Sequence, residues 1–211
     1  MAYRFMCIAV LAVSLGVTAE QSGDVPPVLA ALREKYAAGL TLRAEFDLEI
    51  FWKAREKTER KSGVLYAAPD DRFRLELGKN VWVSDGRTYW QYSAATSQVV
   101  IKKLLDVDLS MHPSQIIETY LFKYSYSVSE QNEKQAVLSW RASAADAGTD
   151  ARAVTIWVDV KKMTLKKLLI VDRSGNESTY TFKKMITGEQ PPASAFTFDV
   201  PQGVSVLDTR E

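Results

Sequence analysis

Cysteine and histidine are nearly absent from this 211-residue chain, which holds one of each, Cys7 and His112. Cys7 lies in an N-terminal segment that reads as removable. The mature chain is therefore expected to have no disulfide, no thiol nucleophile and no thiolate metal ligand. His112 stands beside Pro113, and no nucleophile-elbow pattern elsewhere completes a Ser/His/Asp constellation around it. It reads as a surface or lid-loop residue. Gly86, Gly148, Gly175, Gly188 and Gly203 are isolated at turns, which excludes a phosphate-cradling loop. The closest carboxylate pairs, Asp70 with Asp71 and Asp106 with Asp108, have no further ligands nearby and read as turn or solvated residues. Glycoside hydrolysis needs only two carboxylates, but nothing singles out a pair. Enzymatic chemistry is the least supported class, and neither a cofactor nor a metal is expected.

An excess of one charge is missing too. Lys and Arg total 27 against 26 Asp and Glu, and loss of Arg4 would balance them. Nothing in that balance points to nucleic acid or an anionic membrane surface. The longest apolar run, Phe5–Val17, is shorter than the roughly 20 residues of a membrane span. It follows a short basic start and precedes Val17-Thr18-Ala19, so it reads as a signal peptide cleaved after Ala19. Cys7 sits inside the apolar run after Phe5-Met6, the wrong context for lipidation. Removing residues 1–19 leaves 192 of the 211, enough for one domain (20–211) with a sizeable core.

Periodicity is plentiful. Pro26-Pro27 suits a helix start. Val28, Leu29, Leu32 and Tyr36 then share one face, which predicts an amphipathic helix over Pro27–Ala38 that ends at Gly39. The period next switches to two. Leu42, Ala44, Phe46, Leu48, Ile50 and Trp52 alternate with charged residues in a half-buried strand. A charged loop, KAREKTERK, leads to the strand SGVLYAA and the turn Pro69-Asp70-Asp71. Phe73, Leu75 and Leu77 then alternate with Arg72, Arg74 and Glu76. The hairpin NVWVSDGRTYWQY turns on Ser84-Asp85-Gly86. Ser110–Pro113 could open a second helix whose stripe is Ile116, Ile117, Tyr120 and Leu121. Further strands follow to a C-terminal stretch, AFTFDVPQGVSVLD. About 11 strands with short connections predict a mainly antiparallel α+β fold.

A sheet of this size must close or be covered, and two short helices are the covers at hand. Large apolar residues and scant helix leave an ordinary packed core and a wide apolar concavity both open. Phe46, Leu48, Ile50, Phe73, Leu75, Leu77, Val83, Trp90 and Tyr92 are the expected lining. Leu29, Leu32, Tyr36, Ile116, Ile117 and Tyr120 are the expected lid. A charge at Phe46 or Leu75 is expected to abolish loading of a ligand and leave the protein folded. The basic runs Arg55–Lys61 and Lys161–Lys167 are candidate partner contacts.

Several motifs resemble one family. They are Leu42-x-Ala44-x-Phe46, Gly63-x-Leu65-Tyr66 with a following proline, Arg72-Phe73-Arg74, Val83-Ser84-Asp85-Gly86-Arg87-Thr88-x-Trp90-x-Tyr92, and Phe196-x-Phe198-x-x-Pro201-x-Gly203-Val204. In this order they are similar to the periplasmic outer-membrane lipoprotein carrier proteins, over nearly all of the mature chain. The resemblance implies an unclosed antiparallel β-barrel covered by a helical lid around an apolar cavity. It implies a monomeric periplasmic chaperone that takes acylated lipoproteins from an inner-membrane ABC transporter to an outer-membrane lipoprotein receptor. A carrier of free lipid or another envelope amphiphile is the alternative. In family members a basic residue just before the turn proline latches the lid. Here that region reads Leu65-Tyr66-Ala67-Ala68-Pro69, so the latch does not carry over.

Overall fold

The computed structural model describes residues 25–36, 41–108, 115–146 and 148–210. The predicted signal peptide with Cys7, the predicted helix end at Ala38 and Gly39, and His112 with the Ser110–Pro113 helix start lie outside them.

Twelve strands form one sheet. In chain order they are β1 (Leu42–Trp52), β2 (Lys57–Ala68), β3 (Arg72–Leu77), β4 (Asn80–Asp85), β5 (Thr88–Ser93), β6 (Gln98–Lys103), β7 (Ser127–Gln131), β8 (Gln135–Arg141), β9 (Ala151–Asp159), β10 (Thr164–Asp172), β11 (Glu177–Thr187) and β12 (Ser205–Asp208). Helix α1 (Pro27–Tyr36) precedes β1, and α2 (Ile116–Phe122) lies between β6 and β7. In space the strands run β12-β6-β5-β4-β3-β2-β1-β11-β10-β9-β8-β7. A twisted sheet this wide curls, but β12 and β7 stay apart as its two ends and the barrel remains unclosed. Pairing is antiparallel throughout, apart from β12, which runs parallel to β6.

Topology explains the lid. Strands β6 and β7 are consecutive in the chain, but β7 is one end of the sheet and β6 stands next to β12 at the other. Helix α2, between them in the chain, packs over the concave side through Ile117, Tyr120 and Leu121. Helix α1 enters at mid-sheet, since β1 sits between β2 and β11. Its buried stripe, Val28, Leu29, Leu32 and Tyr36, is the one the helical spacing predicted.

Two predicted boundaries change. The charged stretch 53–61 is no loop: a short turn, Lys53–Arg55, leads directly into β2. Lys57–Lys61 pairs with Leu48–Trp52 of β1. Lys57, Thr58, Arg60 and Lys61 are exposed and Glu59 is half-buried, so this ladder leaves no apolar alternation to read. The second helix begins, among the described residues, at Ile116.

The turn Ser84-Asp85-Gly86 shows why its residues stand there. Asp85 Oδ1 accepts from the amides of Arg87 and Thr88 at 2.8 and 2.7 Å, and Ser84 Oγ accepts from that of Gly86 at 3.1 Å. Gly86 has φ +93°, and a Cβ there would press on the Asp70 carbonyl.

Candidate functional site: the lidded concave face

Ladder register decides which residues face the helices. Residues directly opposite in an antiparallel pair share a face. Leu42, Ala44 and Phe46 of β1 oppose Ala67, Leu65 and Gly63 of β2, which in turn oppose Phe73, Leu75 and Leu77 of β3. On the other side Phe46 and Leu48 oppose Phe182 and Tyr180, and the series continues through Leu168, Ile156 and Leu138. Most of these side chains join one buried cluster with Leu29, Leu32, Tyr36, Ile117, Tyr120 and Leu121 of the helices. Ile50 and Ile116 pack at its margin. Phe73 lies on the same face but belongs to an adjoining cluster with Tyr89 and Leu104.

Val83, Trp90 and Tyr92 are a correction. Leu75 opposes Trp82 and Phe73 opposes Ser84, so Val83 points to the other face. Val83 opposes Trp90, and Val81 opposes Tyr92, which puts all three expected lining residues on the convex side. The residues of this hairpin that do face the helices are Trp82, Ser84, Tyr89 and Gln91. The error has a physical cause. Both parities of the hairpin carry large apolar groups, because the convex side is covered here as well: Tyr92 packs on Phe198, with ring centroids 6.0 Å apart.

The far half of the concave face was missed. Tyr180 stacks at a tilt on Phe46, with centroids 5.7 Å apart. Trp140 meets Tyr124 at 4.1 Å, and Tyr124 stacks on Tyr120 at 5.6 Å. The signal was present in the alternation of Val154, Ile156 and Val158. Burial raises the phenol pKa of Tyr36 and Tyr120 to about 12, and pushes Tyr126 and Tyr180 upward as well.

With the lid in place the face is filled. Leu75, Leu32, Leu138 and Ala44 have no exposed surface. A charge at Leu75 would have neither water nor a partner, so the expectation that such a variant stays folded is withdrawn. A hollow of about 600 Å³ lies among the charged residues Asp47, Glu49, Arg60, Lys61, Lys167 and Lys183 of β1, β2, β10 and β11, and the open space beside the lid lies at one edge. A cleft of about 240 Å³ is lined by Tyr36, Leu42 and Phe73, by Ala67–Arg72 at the β2–β3 turn, and by Gln115, Ile117, Glu118 and Phe122 of the α2 region. That volume is below the ~300–1,000 Å³ of a drug-sized site, so a long-chain ligand requires the helices to move.

The lid is held by an unanticipated residue. Arg33 of α1 donates from Nε to the Leu121 carbonyl at 2.9 Å and from Nη2 to the Tyr124 carbonyl at 2.8 Å. Its guanidinium carbon also lies 5.9 Å from the centre of the Phe122 ring. These carbonyls lie at the end of α2, where carbonyls lack intrahelical donors and a cation is favoured. Elsewhere α1 is tied to the β9–β11 half: Lys35 Nζ donates to the Lys162 carbonyl at 2.9 Å, and the Tyr36 hydroxyl donates to Met185 sulfur. The carboxylates Asp70 and Asp71 occupy the β2–β3 turn with left-handed backbone, as turn residues do.

An unclosed β-sheet whose apolar concave face is covered by two amphipathic helices defines the half-barrel class of protein. Within it, residues 39–199 match the family model described as outer membrane lipoprotein carrier protein LolA, and the chain belongs to that family. An outer-membrane lipoprotein carrier protein of Vibrio cholerae is 25% identical over 182 residues, covering 85% of this chain and 89% of its own length. One from Pseudomonas entomophila is 29% identical over 129 residues, 61% of each chain. Among solved structures, an uncharacterized conserved protein from Thermus thermophilus shares the fold at TM-score 0.52 and 14% identity, covering 86% of this chain and 97% of its own.

Proposed function

We propose that this protein is a periplasmic carrier of lipoproteins. It binds the acyl chains of lipoproteins released by an inner-membrane ABC transporter and delivers them to an outer-membrane receptor, and it catalyses no reaction. Residues 1–19 are the cleaved signal peptide and 20–211 the carrier domain. One observation carries the reading: the apolar concave face is continuous, and two short helices that are clasped to each other cover it. In the closed state the lid helices occupy the face that acyl chains take in the loaded state. Loading exchanges one apolar contact for another, so its net cost stays small while each methylene withdrawn from water contributes ~0.8 kcal/mol. Phe46, Leu48, Ile50, Phe73, Leu75 and Leu77 line the face, and the α1 and α2 stripes form the lid. Absence of a helix long and apolar enough to cross a membrane, among the described residues, is compatible with a carrier that shuttles between membranes.

The test is to express the full precursor, purify the processed protein from the periplasm, supply a detergent-solubilised lipoprotein and look for a soluble 1:1 complex by native mass spectrometry. A diacylated or triacylated lipoprotein in the complex is the expected result. Bound free lipid with no lipoprotein, or no amphiphile at all, would overturn it.

A further inference from the structure

We infer that Arg33 makes α1 and α2 a single lid. That lid stays anchored on the β9–β11 side and opens at the cleft beside the β2–β3 turn, where the acyl chain enters. The inference rests on the carrier reading for what enters. The clasp itself stands on geometry alone.

Three observations converge. First, the contacts of the lid are asymmetric. Helix α1 reaches the β9–β10 turn through Lys35 and reaches β11 through Tyr36 and Met185. Helix α2 reaches α1 through two Arg33 hydrogen bonds. Among the described residues, no side-chain hydrogen bond crosses from α2 to β2 or β3.

Second, open space lies between α2 and the β2–β3 turn. Its sheet wall is Leu42 and the β2–β3 turn with Phe73, and its lid wall is Tyr36 of α1 with Ile117, Glu118 and Phe122 of α2. Ala67 opposes Phe73 and Leu42, so its methyl is on the concave face, where it lines the cleft. A larger side chain at that position would fill the gap.

Third, the bonding geometry suits a clasp. Arg33 is half-buried and spends two of its five N–H donors on carbonyls at the end of α2, lying also against the Phe122 ring. A planar fork that satisfies two carbonyls fixes orientation as well as distance, which an ammonium group does not. Helix α2 has only the seven residues Ile116–Phe122. Isolated helices that short are not stable, so α2 owes its shape to its neighbours. Cutting the clasp should release α2 from α1 and leave α1 on the sheet. Arg33 is a positioning residue in this account: it does not touch the ligand but sets where the covering helix sits.

The experiment uses pairs of spin labels in a Cys7→Ser precursor, which removes the chain's one native cysteine. Labels at Glu34 and Glu118 report α1 against α2. Labels at Arg87 and Glu118 report α2 against the sheet; Arg87 follows Gly86, which abuts Asp70 at the cleft. All three positions are exposed. Without ligand, Arg33→Ala should broaden and lengthen the 34–118 distances, with Arg33→Lys between it and the parent. The far-ultraviolet spectrum and the unfolding midpoint of each variant check that the sheet remains folded. A 34–118 distribution unchanged in Arg33→Ala overturns the clasp. With a synthetic diacylated lipopeptide added to the parent, the 87–118 distance should lengthen and the 34–118 distance stay constant. Equal lengthening of both overturns the single lid. Failure of the parent to bind the lipopeptide overturns the carrier reading and the entry route together, and the ligand-free comparison still decides the clasp.

Discussion

Arg72 lays its guanidinium over the ring of Phe196, its central carbon 5.4 Å from the ring centre. The two residues belong to motifs far apart in the chain, Arg72-Phe73-Arg74 and Phe196-x-Phe198, and the fold joins them on the convex side. Arg74 Nη1 also donates to the Thr197 carbonyl at 3.3 Å. Phe196 is 4% exposed and packs with Ala68, Ala195 and Tyr66. This C-terminal strap is a second, smaller core behind the sheet. Phe196→Ala is expected to cost ~3 kcal/mol or more, and Arg72→Ala about 0.5–1 kcal/mol of cation–π contact. Urea unfolding midpoints measure both. Equal small shifts would show that the strap is a passive cover.

Gly63 lies close against Phe46 and the β3 backbone. A Cβ there would sit 2.7 Å from Cζ of Phe46 and 2.9 Å from the Glu76 carbonyl oxygen. The ring end can move, but the carbonyl belongs to the β2–β3 ladder. Gly63→Ala should therefore destabilise by ~1–3 kcal/mol through overpacking. Adding Phe46→Leu should relieve only part of that. Full rescue in a double-mutant cycle would mean that the ring alone sets the limit.

How legible this was from sequence differs along the chain. Strands β1 and β3 face water on one side, so their alternation reported the concave residues correctly. The β4–β5 hairpin is apolar on both sides, since the strap covers its back. There alternation carries no information on face, and Val83, Trp90 and Tyr92 were placed on the wrong one. The first half of β2 failed for the opposite reason: it is mostly exposed, so nothing marked it as a strand. The absent latch was legible at Ala67 and Ala68. Its counterpart at Arg33 was not, because a charge on the polar side of an amphipathic helix looks like ordinary solvation until the partner helix is in place.

Alkaline pH should unfold the protein through its buried tyrosines. Burial raises Tyr36, Tyr89 and Tyr120 to about 12 in the folded state, against about 10 when unfolded. A raised acid pKa means that the folded state holds its proton longer. The resulting stability is complete below pH ~10 and is lost as pH rises towards 12. Melting temperatures should be flat with respect to these groups up to pH ~10 and then fall. Tyr36→Phe should flatten the fall by removing one titrating group; an unchanged slope in that variant would remove Tyr36 from the account.

Ala67 offers a gain-of-contact test of the cleft. Its methyl faces α2 across the opening, with Glu118 on the opposite wall and exposed. Ala67→Arg introduces a long cation that can span the gap and pair with that carboxylate. An exposed pair of this kind contributes ~0.2–1 kcal/mol, which corresponds to a slowing of lid opening by up to about fivefold. Loading of a diacylated lipopeptide, followed by stopped-flow fluorescence, should slow by that order, and high salt should restore the rate by screening the pair. Ala67→Leu fills the same space without charge, so any slowing it causes should be insensitive to salt. Glu118→Gln in the Ala67→Arg background should speed loading again. Rates unaffected by all three substitutions would place the entrance elsewhere on the rim of the half-barrel.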